Sequence, residues 1–285
     1  MNRDDMQTKG QVRDFYDQTG WSQVGEGLYQ NARYEDLRPV MQEYVHRCHM
    51  RVNRYLDPTG ELFLDAGSGP VQYPEYLSYS EGYRYRLCAD ISITALQEAR
   101  QRLKEKGLYV VIDIANLPFK ESAFDGLLSL HTIHHLPPED HCKAYAELYR
   151  VLKPGRKAVV VNGWSHPPLM RPFHAMAPFV RKVLSRLHIG REEAPVQLAK
   201  EKVSKPSPVK TFVHKSNARW LREQLKDIVP IKIFVWRSVS IKFTRTYIHA
   251  ELAGRLKIRA IYWLEERMPH FLGENGQYPL ISFKK

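Results

Sequence analysis

The sequence is short of several things, and each shortage narrows the field. Cysteine occurs three times in 285 residues, at Cys48, Cys88 and Cys142. That is too few and too scattered for a disulfide framework or a metal-type spacing, so the thiols read as reduced and non-functional in a cytosolic protein. No uninterrupted apolar run is long enough to span a bilayer, and the polar start Met1-Asn2-Arg3-Asp4-Asp5 is unlike a secretory signal. Acid is scarce in one half only. Residues 1–160 carry 20 Lys+Arg against 22 Asp+Glu, a balance of −2, whereas residues 161–285 carry 23 against 9, a balance of +14. Such an asymmetry suggests attraction to phosphate groups of a substrate, a membrane surface or nucleic acid, with basic surface kept for solubility as the plain alternative. An apolar share of 43% allows a sizeable core, in one large domain with an insertion or in two small ones.

What is present is organised around Leu62-Phe63-Leu64-Asp65-Ala66-Gly67-Ser68-Gly69-Pro70. An apolar run that stops at an acid and turns on two glycines reads as a buried parallel strand whose end approaches a ligand closely. Asp65 then lies where open α/β sheets form their crevice. Val71 and Gln72 follow, so Gly-x-Gly-x-x-Gly is not completed and a dinucleotide site is disfavoured. Tyr85–Asp90 is a second strand ending in an acid, and Asp90 stands 21 positions after Gly69. That is close to the spacing at which a carboxylate meets ribose hydroxyls in a β-α-β unit. Tyr109–Asp113 is a third such strand. Three strand ends bearing Asp65, Asp90 and Asp113 call for a ligand with several donors, because unpaired carboxylates in one crevice repel each other.

The glycine segment resembles the first motif of class I S-adenosylmethionine-dependent methyltransferases, of the small-molecule, methyltransferase-11/UbiE-like type. Further ordered matches are Asp113 with Leu117-Pro118-Phe119, the Phe124-Asp125 strand start, and Arg150-Val151-Leu152-Lys153-Pro154-Gly155. The resemblance implies a Rossmann-like α/β fold: a seven-stranded sheet, mostly parallel with an antiparallel last strand, helices on both faces, and an insertion after the fifth strand. It implies S-adenosyl-L-methionine as cofactor, held by Gly67, Gly69 and Asp65 at the amino-acid end and by Asp90 at the ribose. Ile91 would pack on the adenine, and Asp113 and Ile114 would meet its edge. Ser129 joins this cofactor set, and Tyr16 covers the methionine end.

The coarse organisation is an N-terminal helical cap over residues 1–57, a cofactor core over 58–163, a basic insertion or lid over 164–216, and sheet completion with a long helix over 217–285. The aromatics Phe15, Tyr16, Trp21, Tyr29 and Tyr34 either form a flap or simply dock the cap. Helices are expected at 39–55, 94–106 and 139–152, and further strands at 122–130 and 157–161. Four prolines between Trp164 and Pro178 argue against a long helix there. Val180–Ile189 reads as a basic amphipathic turn or two, and Gly190–Ser216 as a polar, mobile stretch. Ile231–Phe243 looks strand-like, and Tyr247–Met268 looks like one helix burying Ile248, Leu252, Leu256 and Ile261.

Methyl transfer from a sulfonium mainly needs alignment and exclusion of water, with a base only where the acceptor must lose a proton. His131, His134 and His135 follow the fourth strand. His134 and His131 are the candidate catalytic bases, on the ground that a neutral imidazole titrates near operating pH. The alternative is that these rings only pack against the cofactor. His166 and His174 are weaker candidates, and no metal is expected. The reading is a methyltransferase of a small or lipid-linked, anionic-group-bearing acceptor, with O-methylation favoured. Its place would be cytoplasmic, with peripheral contact at the inner face of a membrane. An RNA methyltransferase using the basic half and a non-catalytic cofactor-binding protein are the alternatives. Nucleic acid is disfavoured because Ser129-Leu130-His131-Thr132 is unlike the Asn/Asp-Pro-Pro-Tyr/Phe stretch of base-amino methylating enzymes.

Overall fold

The computed structural model describes residues 3–21, 23–25, 28–29, 35–190 and 211–285. Tyr34 and the middle of the basic insertion, 191–210, therefore lie outside the described residues. Seven strands form one sheet: β1 (Thr59–Ala66), β2 (Gly82–Asp90), β3 (Gly107–Val111), β4 (Gly126–Leu130), β5 (Lys157–Val161), β6 (Lys232–Arg237) and β7 (Tyr278–Lys284). Their order is β3-β2-β1-β4-β5-β7-β6. All neighbours among the first five are parallel, and β7 runs antiparallel to both β5 and β6. The chain winds outward from β1 to β3, then returns to place β4 on the other side of β1. The β1–β4 boundary is thus a switch point, where the two following loops diverge and leave a crevice.

Alternation along the central strands explains why both faces are covered. Leu64, Leu127 and Val160 pack in one apolar cluster, while their neighbours Phe63, Leu128, Val159 and Val161 pack in the other. A period of two with both faces apolar requires helices above and below the sheet. The first face takes α5 (Pro138–Val151) and α7 (Ala218–Leu225), through Leu148 and Leu221. The second takes α2 (Gln42–Arg51) and α9 (Gly254–Arg267), through Tyr44, Cys48 and Ile258. Ser92 caps α4 (Ile93–Leu103) by accepting from the Ala95 amide at 3.1 Å.

Several sequence expectations fail for identifiable reasons. The prolines do not prevent a helix: α6 runs from Arg171 to Arg186. Pro172 sits in its first turn, where the missing N–H costs nothing. Pro178 lies inside it and leaves the His174 carbonyl without its helical donor; Lys242 Nζ donates to that oxygen at 3.4 Å instead. The strand-like stretch 231–243 ends at Arg237, and Ser240 then caps α8 (Ile241–Tyr247). The single C-terminal helix is broken, because Ala253 adopts a left-handed conformation (φ +55°) just before α9. Leu256, expected to be buried, is 70% exposed. The third strand closes at Val111, two residues early, so Asp113 falls in the following turn.

An L-residue with a side chain loses about 1–2 kcal/mol in the left-handed region, of which glycine's larger unfolded-state entropy returns about 0.5–1. Ala253 is exposed, so little packing is at stake. Ala253→Gly is expected to raise the unfolding free energy by about 0.5–1 kcal/mol in urea titration; a loss of stability would mean that the turn is held by contacts other than its backbone.

Candidate functional site

A cavity of about 340 Å³ opens at the carboxyl ends of β1, β2 and β4. Its floor is the turn after β1. Gly67 (φ +75°) lies so close to Thr132 that a Cβ there would come within 2.2 Å of the threonine side chain. Thr132 Oγ1 lies 3.1 Å from the Gly67 carbonyl and 3.0 Å from that of Leu130, tying the β1 turn to the β4 loop. Gly69 (φ +54°) has the Trp21 ring 3.1 Å from the point where a Cβ would sit. Val71 adopts φ +52° although it is β-branched, a conformation that costs strain.

The three acids meet three different fates. Asp90, at the tip of β2, lines the cavity and is buried. Its carboxylate accepts from the Gly69 amide at 2.8 Å and the Ser92 amide at 2.9 Å. Burial outweighs those two amides and pushes its pKa up to about 6. Asp65 also borders the cavity, but its Oδ2 is held by Arg86, whose Nε donates at 3.1 Å within a buried ion pair. Asp113 is not among the cavity residues. Lys9 of α1 (Arg3–Phe15) lies 2.6 Å from its Oδ2, and the Ala115 amide donates to its Oδ1 at 2.9 Å. The same lysine pairs with Asp140, so Asp113 helps to hold the N-terminal helix in place. Ile91 and Ile114 line the cavity. Ser129 does not: it is buried behind the wall, and Leu130 takes its place.

The N-terminal segment forms one side. Tyr16 stacks on Trp21 with ring centroids 5.2 Å apart, and Asp17 accepts from Ser92 Oγ at 2.5 Å. His135 Nδ1 faces the Phe212 carbonyl at 2.7 Å and must donate to it, so its Nε2 accepts from Tyr16 Oη at 2.8 Å. Both nitrogens of His135 are thereby engaged. His134 Nδ1 lies 3.3 Å from Asn162 Oδ1, which leaves its Nε2 with a lone pair. All three imidazoles line the cavity. Burial first, then Arg237, lowers His131 to about 3; burial, the two neighbouring imidazoles and Lys215 hold His134 well below its ordinary value; burial with Lys215 brings His135 to about 4. They are neutral at pH 7 but do not titrate near it, unlike the base expected from the sequence.

Sequence reasoning missed the far end. Lys215, Arg237, Glu35, Tyr73, Tyr76 and Tyr278 complete the wall there. Arg237 is buried, pairs with Glu35 and lies 4.6 Å from the Tyr278 ring centroid. Lys215 rides on a strap fixed by the His214 amide to the His134 carbonyl (2.8 Å) and the Ser165 amide to the Ser216 carbonyl (2.9 Å). Burial lowers its pKa. None of these residues sits in a recognisable motif; only their long-range packing reveals them. His174 faces Ser240 at 2.7 Å, and neither His166 nor His174 is a wall of this cavity.

The family model described as a methyltransferase domain matches residues 64–160, from within β1 to within β5. Over these residues the chain carries a methyltransferase domain of the class I S-adenosylmethionine-dependent type. A probable tRNA methyltransferase 9B of Mus musculus is 28% identical over 168 residues, 57% of this chain and 36% of its own length. The ubiquinone/menaquinone biosynthesis C-methyltransferase UbiE of Vibrio cholerae is 26% identical over 151 residues, 50% of this chain and 56% of its own length. The chain thus spans about a third to just over half of these relatives. In fold, a geranyl diphosphate C-methyltransferase from Streptomyces coelicolor matches with a TM-score of 0.53 at 14% identity, over 97% of each chain.

The cofactor of this methyltransferase domain is S-adenosylmethionine, and the residues fit it. The positive-φ glycine turn leaves backbone open for close approach. Asp90 is a buried carboxylate whose two oxygens each keep a free acceptor site for a ribose hydroxyl. Ile91 and Ile114 offer apolar surface suited to a base. Losing two hydrogen bonds to a charged group costs roughly 3 kcal/mol, or about a hundredfold in affinity. Asp90→Ala is therefore expected to weaken S-adenosylhomocysteine binding about a hundredfold in calorimetry. In the wild type, affinity is expected to fall as pH drops below about 6, where Asp90 takes up its proton and loses acceptor capacity. Unchanged affinity in the variant would place the ribose elsewhere.

Proposed function

We propose that the protein transfers a methyl group from S-adenosylmethionine to the oxygen of a small or lipid-linked acceptor seated between His131, His134, Lys215 and Tyr278. The observation that carries this reading is the continuity of one cavity, from the Asp90 and glycine-turn end to a far end lined by aromatic rings and the Lys215 amine. The bound cofactor supplies a methyl group already activated for displacement, so the chain's contribution is placement, dryness and handling of one proton.

His134 Nε2 is the group we assign to receive that proton, with Nδ1 oriented by Asn162. Burial makes the ring a weak base, so the acceptor must be acidified. Lys215 is suited to acidify it, because a nearby ammonium favours an ionised oxygen, and the oxygen in turn restores the charge that burial removes from the amine. His131, held at φ +56° at the end of β4, serves as wall and orienting contact. Tyr16 and Trp21 close the cofactor end against water. Phenols, enols and carboxylic acids match a weak base beside a cation better than aliphatic alcohols do. A tRNA acceptor is the second reading, favoured by the name of the mouse relative.

Incubation with methyl-labelled cofactor and a panel of phenols, quinols, carboxylic acids and total tRNA tests the assignment. Label is expected in an acidic hydroxyl compound, with His134→Ala and Lys215→Met each lowering kcat by about a hundredfold while S-adenosylhomocysteine affinity stays unchanged. At saturating cofactor, kcat is expected to show no histidine limb between pH 6 and 8, because burial holds His134 well below its ordinary value, with His131 near 3 and His135 near 4. Label in tRNA alone would select the second reading. Cofactor binding without transfer to any acceptor would leave a binding protein.

A further inference from the structure

Helix α6 is attached to the body by a narrow contact and turns the rest of itself outward. Of its sixteen residues, Ala177 alone is fully buried. Phe173, Met176, Phe179 and Val183 are exposed, as is Leu187 at its end; Met176 reaches 56%, Phe179 68% and Leu187 62%. They recur every three or four residues, so they form one continuous stripe along the helix. Single exposed apolar residues need no explanation, but a stripe of five large ones is a surface that water does not suit. Arg171, Lys182 and Arg186 lie exposed beside the stripe, and the helix contains no acid. The residues that follow, 191–210, carry few large apolar side chains and eight charges, a composition poorly matched to covering such a stripe.

We propose that α6 is a docking element for an anionic lipid surface, with Phe173, Met176, Phe179, Val183 and Leu187 entering the headgroup region. Arg171, Lys182 and Arg186 would meet the lipid phosphates. An apolar stripe bordered by cations matches a surface that is apolar beneath and negative above. A polynucleotide would use the cations and leave the stripe wet; a protein groove would use the stripe and give the row of cations no role. The helix also lies beside the cavity: its Phe173 ring meets Phe243 of α8 at 4.9 Å, and Ile241 of α8 is a cavity wall. That this brings a lipid-borne acceptor to the site rests on the methyltransferase reading; the docking does not.

Flotation of the full chain with vesicles of phosphatidylglycerol and phosphatidylcholine, at low and high salt, tests this surface. Binding is expected to phosphatidylglycerol and to fall at least tenfold with pure phosphatidylcholine. Met176→Glu with Phe179→Glu is expected to weaken binding at least tenfold even at low salt, and Lys182→Gln with Arg186→Gln to weaken it and flatten its salt dependence. Circular dichroism and S-adenosylhomocysteine affinity should be unchanged in both, because the substituted side chains are exposed. Absence of flotation, or flotation indifferent to the glutamates, overturns the proposal. So does a concentration-dependent dimer in light scattering that the glutamates abolish, since the stripe would then be covered by a second copy. Absence of vesicle binding by the unsubstituted chain with its cofactor binding intact refutes docking alone, whereas absence of cofactor binding with vesicle binding intact refutes the functional reading alone.

Discussion

One hydrogen bond sets the geometry of the cavity floor: the Gly69 amide donating to Asp90 across 2.8 Å. It ties the turn leaving β1 to the tip of β2, so the two loops cannot move apart. The sheet makes that bond possible, because β1 and β2 pair in parallel with Ala66 opposite Ala89 and therefore end at the same level. The Gly67 amide adds a second tie, donating to the Ala89 carbonyl at 2.6 Å. A rigid turn costs backbone entropy and strain, visible in three positive φ angles within five residues, at Gly67, Gly69 and Val71. Val71 is the telling member. A third glycine would relieve the strain, yet Val71 is almost wholly buried in a small cluster with Leu96 and Ala99. Burying a valine side chain contributes roughly 1.5–3 kcal/mol, enough to offset a left-handed conformation costing about 1–2.

Strand-end acids looked alike in sequence and differ in the fold because their neighbours differ. Arg86 sits one strand away on β2, and the pairing of Phe63 with Arg86 puts its side chain within reach of Asp65. That pair offsets part of the charge repulsion between Asp65 and Asp90, the remainder of which adds to burial in raising Asp90. Asp113 escapes the crevice because β3 stops at Val111; its carboxylate then accepts from the Ala115 amide two residues on, the local turn that aspartate favours outside strands. Of the three, only Asp90 is left buried without a cation. Spacing from the glycines marked it, and spacing is what survives a boundary error of two residues.

Much of the architecture was legible: the order of strands and helices through Val161 and the glycine turn follow from patterns shorter than about fifteen residues, and the antiparallel last strand follows from the family resemblance. What escaped depends on distant partners. The helix continues through Pro178, and the orphaned His174 carbonyl is met by Lys242, far along the chain. The histidines were legible as neighbours of the site but not as weak bases, since burial and the company of Lys215 and Arg237 are properties of the folded cavity. Glu35 and Arg237 are 202 positions apart and could be joined only by the fold.

Charge shows the same dependence on place. The surplus of +14 in residues 161–285 suggests one broad cationic face, yet part of it is consumed internally. Arg237 meets Glu35, Arg259 meets Glu43, and Lys285 meets Glu121, each bridging the two halves of the chain. The traffic also runs the other way, since Arg51 and Arg54 of the first half pair with Glu265 and Glu266 of the second. Buried members of this set, such as Arg51 and Glu265, hold α2 against α9 and the end of β6, where removing one partner would strand a charge at a cost of about 3–5 kcal/mol. A cation spent in this way attracts nothing outside. The cations of α6 are different in kind: they share a helix with no acid and border exposed apolar side chains, so their field is directed at whatever that stripe meets.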